Sequence, residues 1–236
     1  ALLGKALNAE YVEIYTDVDG IMTADPNIVP NAKIIDRIDY REVFELAYQG
    51  AKVIHPRAVE YALEDNIPLI VKNTFSDTPG TVITNLVEYE DNLFTGVTSM
   101  TNKAMVIVNS SEVFEGGAET IFKLLERKKI SIDVISESQD QKVFIVDSDA
   151  ASEVEDILKQ LCAEYRIINN CSKIFLIGNK ASGMEEVMSK LVKTLEVSNV
   201  NVLQIATSHK AICCLVGEED NKKALNELHR AFFCAG

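Results

Sequence analysis

The residues best equipped for chemistry near the start of the chain are Thr16-Asp17-Val18-Asp19-Gly20, which follow directly on Tyr11-Val12-Glu13-Ile14-Tyr15. That run reads as a short strand, and polar and acidic groups at a strand's C-terminal end stand where open α/β sheets place their ligands. A second stretch, Gly50-Ala51-Lys52-Val53-Ile54-His55-Pro56, carries a lysine that spacing alone leaves at a helix end. His55, directly before a proline, reads as a capping or packing residue rather than a proton carrier. The five cysteines (Cys162, Cys171, Cys213, Cys214 and Cys234) are odd in number and scattered, with no Cys-x-x-Cys and only three histidines in the chain. This pattern fits reduced, mostly buried cytosolic thiols better than a zinc site or a catalytic thiol.

The elements that must position these groups follow from periodicity. Ala1 to Leu7 reads as the tail of a helix, Tyr40 to Tyr48 and Ala58 to Asp65 as helices, Pro68 to Lys72 as a buried strand, and Thr78-Pro79-Gly80-Thr81 as a turn. The 236 residues allow one large domain or two to three small ones. With 47% hydrophobic and 25% charged residues, the composition is that of a soluble globular chain. A formal charge of −13 repels phosphate backbones and anionic lipid, which disfavours nucleic-acid or membrane binding as the main activity. No apolar run approaches the roughly 20 residues a bilayer requires, so the reading is a cytoplasmic protein.

The last 140 or so residues repeat themselves. Lys103-Ala104-Met105-Val106-Ile107-Val108 aligns without gaps on Lys173-Ile174-Phe175-Leu176-Ile177-Gly178, an offset of 70. The same offset carries the segment from Ile130 to Ser138 onto Val200 to Ser208, and Val143-Phe144-Ile145-Val146 onto Cys213-Cys214-Leu215-Val216. Each unit reads as strand, helix, strand, strand, helix, with helices covering one face of an antiparallel sheet. A unit of about 70 residues is small for a solitary core, so it should pair with a sister unit.

This repeat resembles a tandem pair of ACT domains, ferredoxin-like βαββαβ modules that bind amino acids and regulate metabolic enzymes. The resemblance implies an effector site in the first copy at Gly116, Gly117, Ala118, Ser131, Asp133, Glu137, Ser138 and Gln139. Two glycines ahead of a helix let backbone N–H groups approach a carboxylate at its positive end, and Asp133 can pair with an α-ammonium group. The plainer alternative keeps Gly116-Gly117 as a turn and Asp133 as a solvated residue. In the second copy Asp133 becomes Leu203 and the glycine pair becomes Glu186-Val187, so the first copy is expected to hold the effector and the second to serve in packing. Leu93 to Thr98 and Arg166-Ile167-Ile168 are expected to supply edge strands, exchanged between the units.

The first ninety residues carry further motifs: Thr-Asp-Val-Asp-Gly-Ile, then Ala-Asp-Pro, then Gly-Ala-Lys-Val-Ile-His-Pro, then Ile-Pro-Leu-Ile-Val-Lys-Asn-Thr. In that order, and ahead of two ACT modules, they resemble aspartate kinase, a member of the amino-acid-kinase fold. The resemblance covers essentially the whole chain. It implies an α/β (α+β ACT) architecture divided into residues 1–92 (the C-terminal part of the kinase domain), 93–170 (first ACT domain) and 171–236 (second ACT domain). It also implies ATP-dependent phosphorylation of the aspartate β-carboxylate, the entry to lysine, threonine and methionine synthesis, with ATP and Mg²⁺ acting as substrate and nothing bound tightly.

Carried over by position, nucleotide contacts fall on Thr16, Asp17, Met22, Asp25, Pro26, Asn27, Lys52 and Val53. Lys52 would act on phosphate oxygens. Met22 stands where the family commonly has a tyrosine, and Asn27 where it commonly has an arginine; both departures weaken nucleotide binding. The family's Lys-Phe-Gly-Gly-Ser and Gly-Arg-Gly-Gly-Ser-Asp motifs are absent, so no catalytic residue is assigned here and this chain alone is expected to be inactive. The implied partners are an amino-acid effector, lysine or threonine, and a second copy in an ACT-mediated homodimer. The competing class is a stand-alone amino-acid-sensing regulatory subunit without catalysis.

Overall fold

The computed structural model describes residues 1–51, 53–85, 94–109, 117–138, 140–178, 184–208 and 210–234. Its first part comprises α1 (Leu2–Ala6), β1 (Val12–Thr16), β2 (Arg37–Asp39), α2 (Tyr40–Tyr48), α3 (Pro56–Glu64), β3 (Leu69–Asn73) and β4 (Thr81–Thr84). The four strands form one sheet in the order β1-β3-β4-β2. β1 runs parallel to β3, so their C-terminal ends open on the same side.

Local chemistry sets the boundaries. Asp39 caps α2 by accepting from the Arg41 N–H, and His55 Nδ1 accepts from the Arg57 N–H at the start of α3. His55 is thus the cap that its place before Pro56 suggested. The turn into β4 needs Gly80: its φ is +79°, and a Cβ there would meet the Val71 carbonyl oxygen at 2.1 Å. Gly20 (φ +148°) lies against Thr81, whose Oγ1 accepts from the Ile21 N–H at 2.8 Å. The short strands β2 and β4 escape sequence detection because they offer only three and four residues of pattern.

The second part comprises β5 (Gly96–Asn109), α4 (Gly117–Arg127), β6 (Asp133–Glu137), β7 (Gln141–Asp147), α5 (Ala151–Gln160), β8 (Tyr165–Ile177), α6 (Met184–Val197), β9 (Val202–Thr207), β10 (Ala211–Gly217) and α7 (Asn221–Phe233). The predicted unit of strand, helix, strand, strand, helix is present twice. β7 and β10 coincide at the offset of 70, residue for residue.

These strands form one sheet in the order β6-β7-β5-β8-β10-β9. β5 and β8 are long and belong to both halves. Residues 103–109 of β5 pair with β7, while its residues 96–100 pair with residues 173–177 of β8. Residues 165–168 of β8 pair with the far half of β5, and residues 171–177 pair with β10. Each unit therefore receives its fourth strand from the other, the exchange expected of Leu93 to Thr98 and Arg166–Ile168, but Leu93 lies outside the described residues, the strand begins at Gly96, and joining of the two units puts β5 and β8 in the middle of the sheet rather than at its edges. Asn102 (φ +59°) and Asn170 (φ +54°) mark the two mid-strand breaks.

Helices cover one face of this sheet, as the pattern predicted. Ala104, Val106 and Val108 pack under α4 and α5, and Ile174, Leu176, Ile212, Cys214 and Val216 pack under α6 and α7. The opposite face is covered as well. Phe175, Ile177, Ala211 and Cys213 share a core with Ile21, Ile38, Tyr40, Val43 and Leu46 of the first part. Double coverage explains why Ile174–Ile177 and Ala211–Val216 are continuously apolar rather than alternating. The predicted alternation Ile130, Ile132, Val134 departs from the structure: β6 starts only at Asp133, Val134 adopts φ +48°, and the register shifts between Asp133 and Ser136.

Candidate functional site

The first candidate site is built on the C-terminal end of β1. Thr16 Oγ1 donates to Asp17 Oδ1 at 3.1 Å, and the Thr16 carbonyl accepts from both the N–H and the hydroxyl of Thr74, at 2.8 and 2.9 Å. Two residues on, Asp19 Oδ1 accepts from Asn73 Nδ2 at 2.7 Å and from Ser76 Oγ at 2.8 Å. These bonds hold the Asp19 carboxyl below its ordinary range, Asn73 contributing most. The loops after β1 and β3 are thereby stapled together, with Phe75, 86% exposed, at the outer tip.

The loop that follows is a small hairpin. Ile35 N–H donates to the Ile21 carbonyl and Thr23 N–H to the Lys33 carbonyl, at 2.8 and 2.9 Å, with Met22 bridged to Ile34. Asp25 Oδ1 accepts from the backbone N–H and the side-chain Nδ2 of Asn27, at 2.9 and 3.0 Å, closing an Asx turn. Asp25, Pro26 and Asn27 are exposed, while Ala24 and Val29 on either side are buried. Val53 is partly buried between α2 and α3, beside the first core. Lys52, the one cation among these candidates, lies outside the described residues. What the described side chains offer is neutral and anionic hydrogen-bonding groups, chemistry that suits base and ribose rather than phosphate oxygens.

The second candidate site lies in the first repeat. Gly117 and Ala118 open α4, whose first turn carries Glu119; Gly116 and Gln139 fall outside the described residues. Ser131 is exposed ahead of β6. Ser138 Oγ donates to the Gln141 carbonyl and accepts from its N–H, both at 3.1 Å, and so serves the turn between β6 and β7. Glu137 pairs with Lys142.

Asp133 has a partner that sequence reasoning missed: its Oδ2 binds the ammonium of Lys173, whose side chain is 1% exposed. Lys173 also lies over the Phe175 ring, 4.9 Å from its centroid. Burial lowers the basicity of this ammonium to about 8, and the Asp133 carboxylate that meets it is half exposed. A lysine inside the apolar run Cys171–Ile177 was the available signal for a buried charge. Among the described residues no group of three or more His, Cys, Asp or Glu is arranged to hold a metal ion, and no helix is long and apolar enough to cross a membrane.

Comparison with known proteins agrees with this architecture. Residues 1–73 match the model of the amino acid kinase family, and residues 174–232 match an ACT domain model. Aspartokinase 1 of Bacillus subtilis is 35% identical over 239 residues, covering 98% of this chain and 59% of its own length. The chain thus spans about three-fifths of the curated relatives it matches. Among solved structures, E. coli aspartokinase III in complex with aspartate and ADP superposes with a TM-score of 0.81 at 30% identity, covering 98% of this chain and 54% of that one. Clostridium acetobutylicum aspartate kinase gives a TM-score of 0.87 at 26% identity, over 98% of this chain and 56% of that one. With a segment that matches the amino acid kinase family joined to a repeated region that matches an ACT domain, the chain is similar to aspartokinases along nearly all of its length.

Proposed function

We propose that this chain supplies the nucleotide-facing strand end and the regulatory modules of an aspartate kinase, an enzyme that transfers the ATP γ-phosphoryl group to the β-carboxylate of aspartate. The observation that carries this reading is the stapled loop pair after β1 and β3 together with the Asp25–Asn27 turn, in a chain that matches aspartokinases over 98% of its length. Thr16, Asp17 and Asn27 would bind base and ribose, and Lys52 would neutralise phosphate charge. Mg²⁺ would arrive with the nucleotide. The aspartate site and the phosphate-gripping loop are assigned to family segments that this sequence does not contain, so the isolated chain is inactive on this reading.

The first ACT unit is the proposed sensor for lysine or threonine, acting within an ACT-mediated homodimer. The effector carboxylate would meet the N-terminal end of α4, and its ammonium the Asp133 carboxylate. The second unit lacks both features, having Leu203 and Glu186-Val187 at the matching positions.

The chain contains no tryptophan, so Phe75→Trp creates a single reporter beside the nucleotide site. Titration with ADP should change its fluorescence saturably and match the calorimetric isotherm; absence of both signals refutes the nucleotide assignment. Calorimetric titration with lysine and with threonine should detect one of them, weakened by Asp133→Ala. If the Asp133→Ala chain binds either ligand as tightly as the unmodified chain, the effector placement is wrong.

A further inference from the structure

The candidate nucleotide loop is held by the second repeat. Thr23 opens the 23–33 hairpin, and its Oγ1 lies 2.8 Å from Nε2 of His229, a fully buried residue of α7. Thr23 Oγ1 also accepts the Lys33 N–H at 2.9 Å, and the other ring nitrogen of His229, Nδ1, faces Cys234 Sγ at 3.7 Å. One turn earlier on α7, Asn226 Nδ2 donates to the Ile28 carbonyl at 2.9 Å, in the middle of the same loop. Next to these two bonds Ala24 and Val29 enter the core formed by Leu191, Leu195, Leu225 and Leu228 of α6 and α7. The Thr23 carbonyl in turn accepts from the Val97 N–H at 2.8 Å, tying the hairpin to the strand that enters the sheet.

Polar and apolar contacts therefore converge from α7 on the two flanks of Asp25-Pro26-Asn27, leaving those three residues facing outward. The loop has little core of its own, so its conformation depends on the helix beneath it. We infer that His229 and Asn226 are positioning residues for the nucleotide loop, which makes α7 of the second ACT unit the element through which the regulatory region and the nucleotide site act on each other. This gives the second repeat a role beyond packing. The inference rests on the reading of Asp25–Asn27 as nucleotide contacts. By linkage the coupling is reciprocal: whatever α7 does to nucleotide affinity, nucleotide does to α7.

Two substitutions at one position separate hydrogen bonding from filling. His229→Leu keeps apolar volume but removes the partner of Thr23; His229→Gln can return a polar atom to the Nε2 position. Backbone amide exchange across residues 23–33 should accelerate about tenfold in His229→Leu, as expected when a buried hydroxyl loses its partner, and stay within about twofold in His229→Gln. ADP affinity should follow the same order. Should His229→Leu fail to fold, Asn226→Ala removes the second clamp from a partly exposed position and should speed exchange at Ile28 and Val29. In the unmodified chain, ADP should slow exchange within α7.

Equal exchange in the 23–33 loop for all three variants overturns the inference. So does nucleotide binding that leaves both α7 exchange and the variants' affinities unchanged. A chain that binds no ADP, yet shows the loop responding to His229→Leu, counts against the nucleotide assignment and leaves the clamp standing.

Discussion

At the scale of single residues, Asp133 and Lys173 show how a pair differs from its members. Lys173 is buried and Asp133 is half in water. Removing the carboxylate strands a desolvated ammonium, whereas removing the ammonium returns the carboxylate to solvent. Asp133→Ala should therefore destabilise the chain by about 2 kcal/mol, discounted from the cost of breaking a fully buried pair because one partner is exposed. Lys173→Met should cost clearly less. Denaturant titration of both variants checks the order, and a larger loss in Lys173→Met contradicts the assignment of the desolvated partner. Asp133 was legible in the sequence as an acidic group within a strand. That its carboxylate is already engaged by Lys173 was not, because the two residues are 40 positions apart and meet only through the fold.

Among the elements, the two long strands carry the design of the repeated half. β5 and β8 each serve both units, and each contains an asparagine in the left-handed region, Asn102 and Asn170. Asparagine tolerates that conformation better than most residues, glycine tolerates it freely, and β-branched side chains strain there. Asn170→Val should lower stability by about 1–2 kcal/mol, while Asn170→Gly should stay within about 0.5 kcal/mol of the parent. Thermal unfolding distinguishes them; equal losses in both variants point instead to a side-chain contact. Edge strands exchanged between the units were expected from the sequence. It could not show that β6 would distort at Val134, since alternation in that segment is intact on paper.

For the whole molecule, the question is which parts melt together. Phe175 is 4% exposed and belongs to a cluster that joins the second repeat to Ile38, Tyr40, Val43 and Leu46 of the first part. Phe175→Ala should remove about 3–5 kcal/mol, and it should lower protection against amide exchange in β3 and β10 together. Loss confined to one of these strands contradicts a shared core. The −13 charge, which disfavoured polyanion partners, also shapes the site: the described nucleotide candidates are carboxylates, hydroxyls and amides, with the cationic role left to Lys52.

The sequence by itself determined the element order, the repeat and the resemblance to aspartokinases, because periodicity, an offset of 70 and short ordered motifs are properties of a line of residues. Only the tertiary structure decided that a second face of the sheet is buried, that Lys173 meets Asp133, and that α7 grips the 23–33 loop through His229 and Asn226. Thr23 and His229 stand 206 positions apart. No local pattern relates residues so distant; their meeting is set by how the two sheets pack, and packing is a property of surfaces brought together.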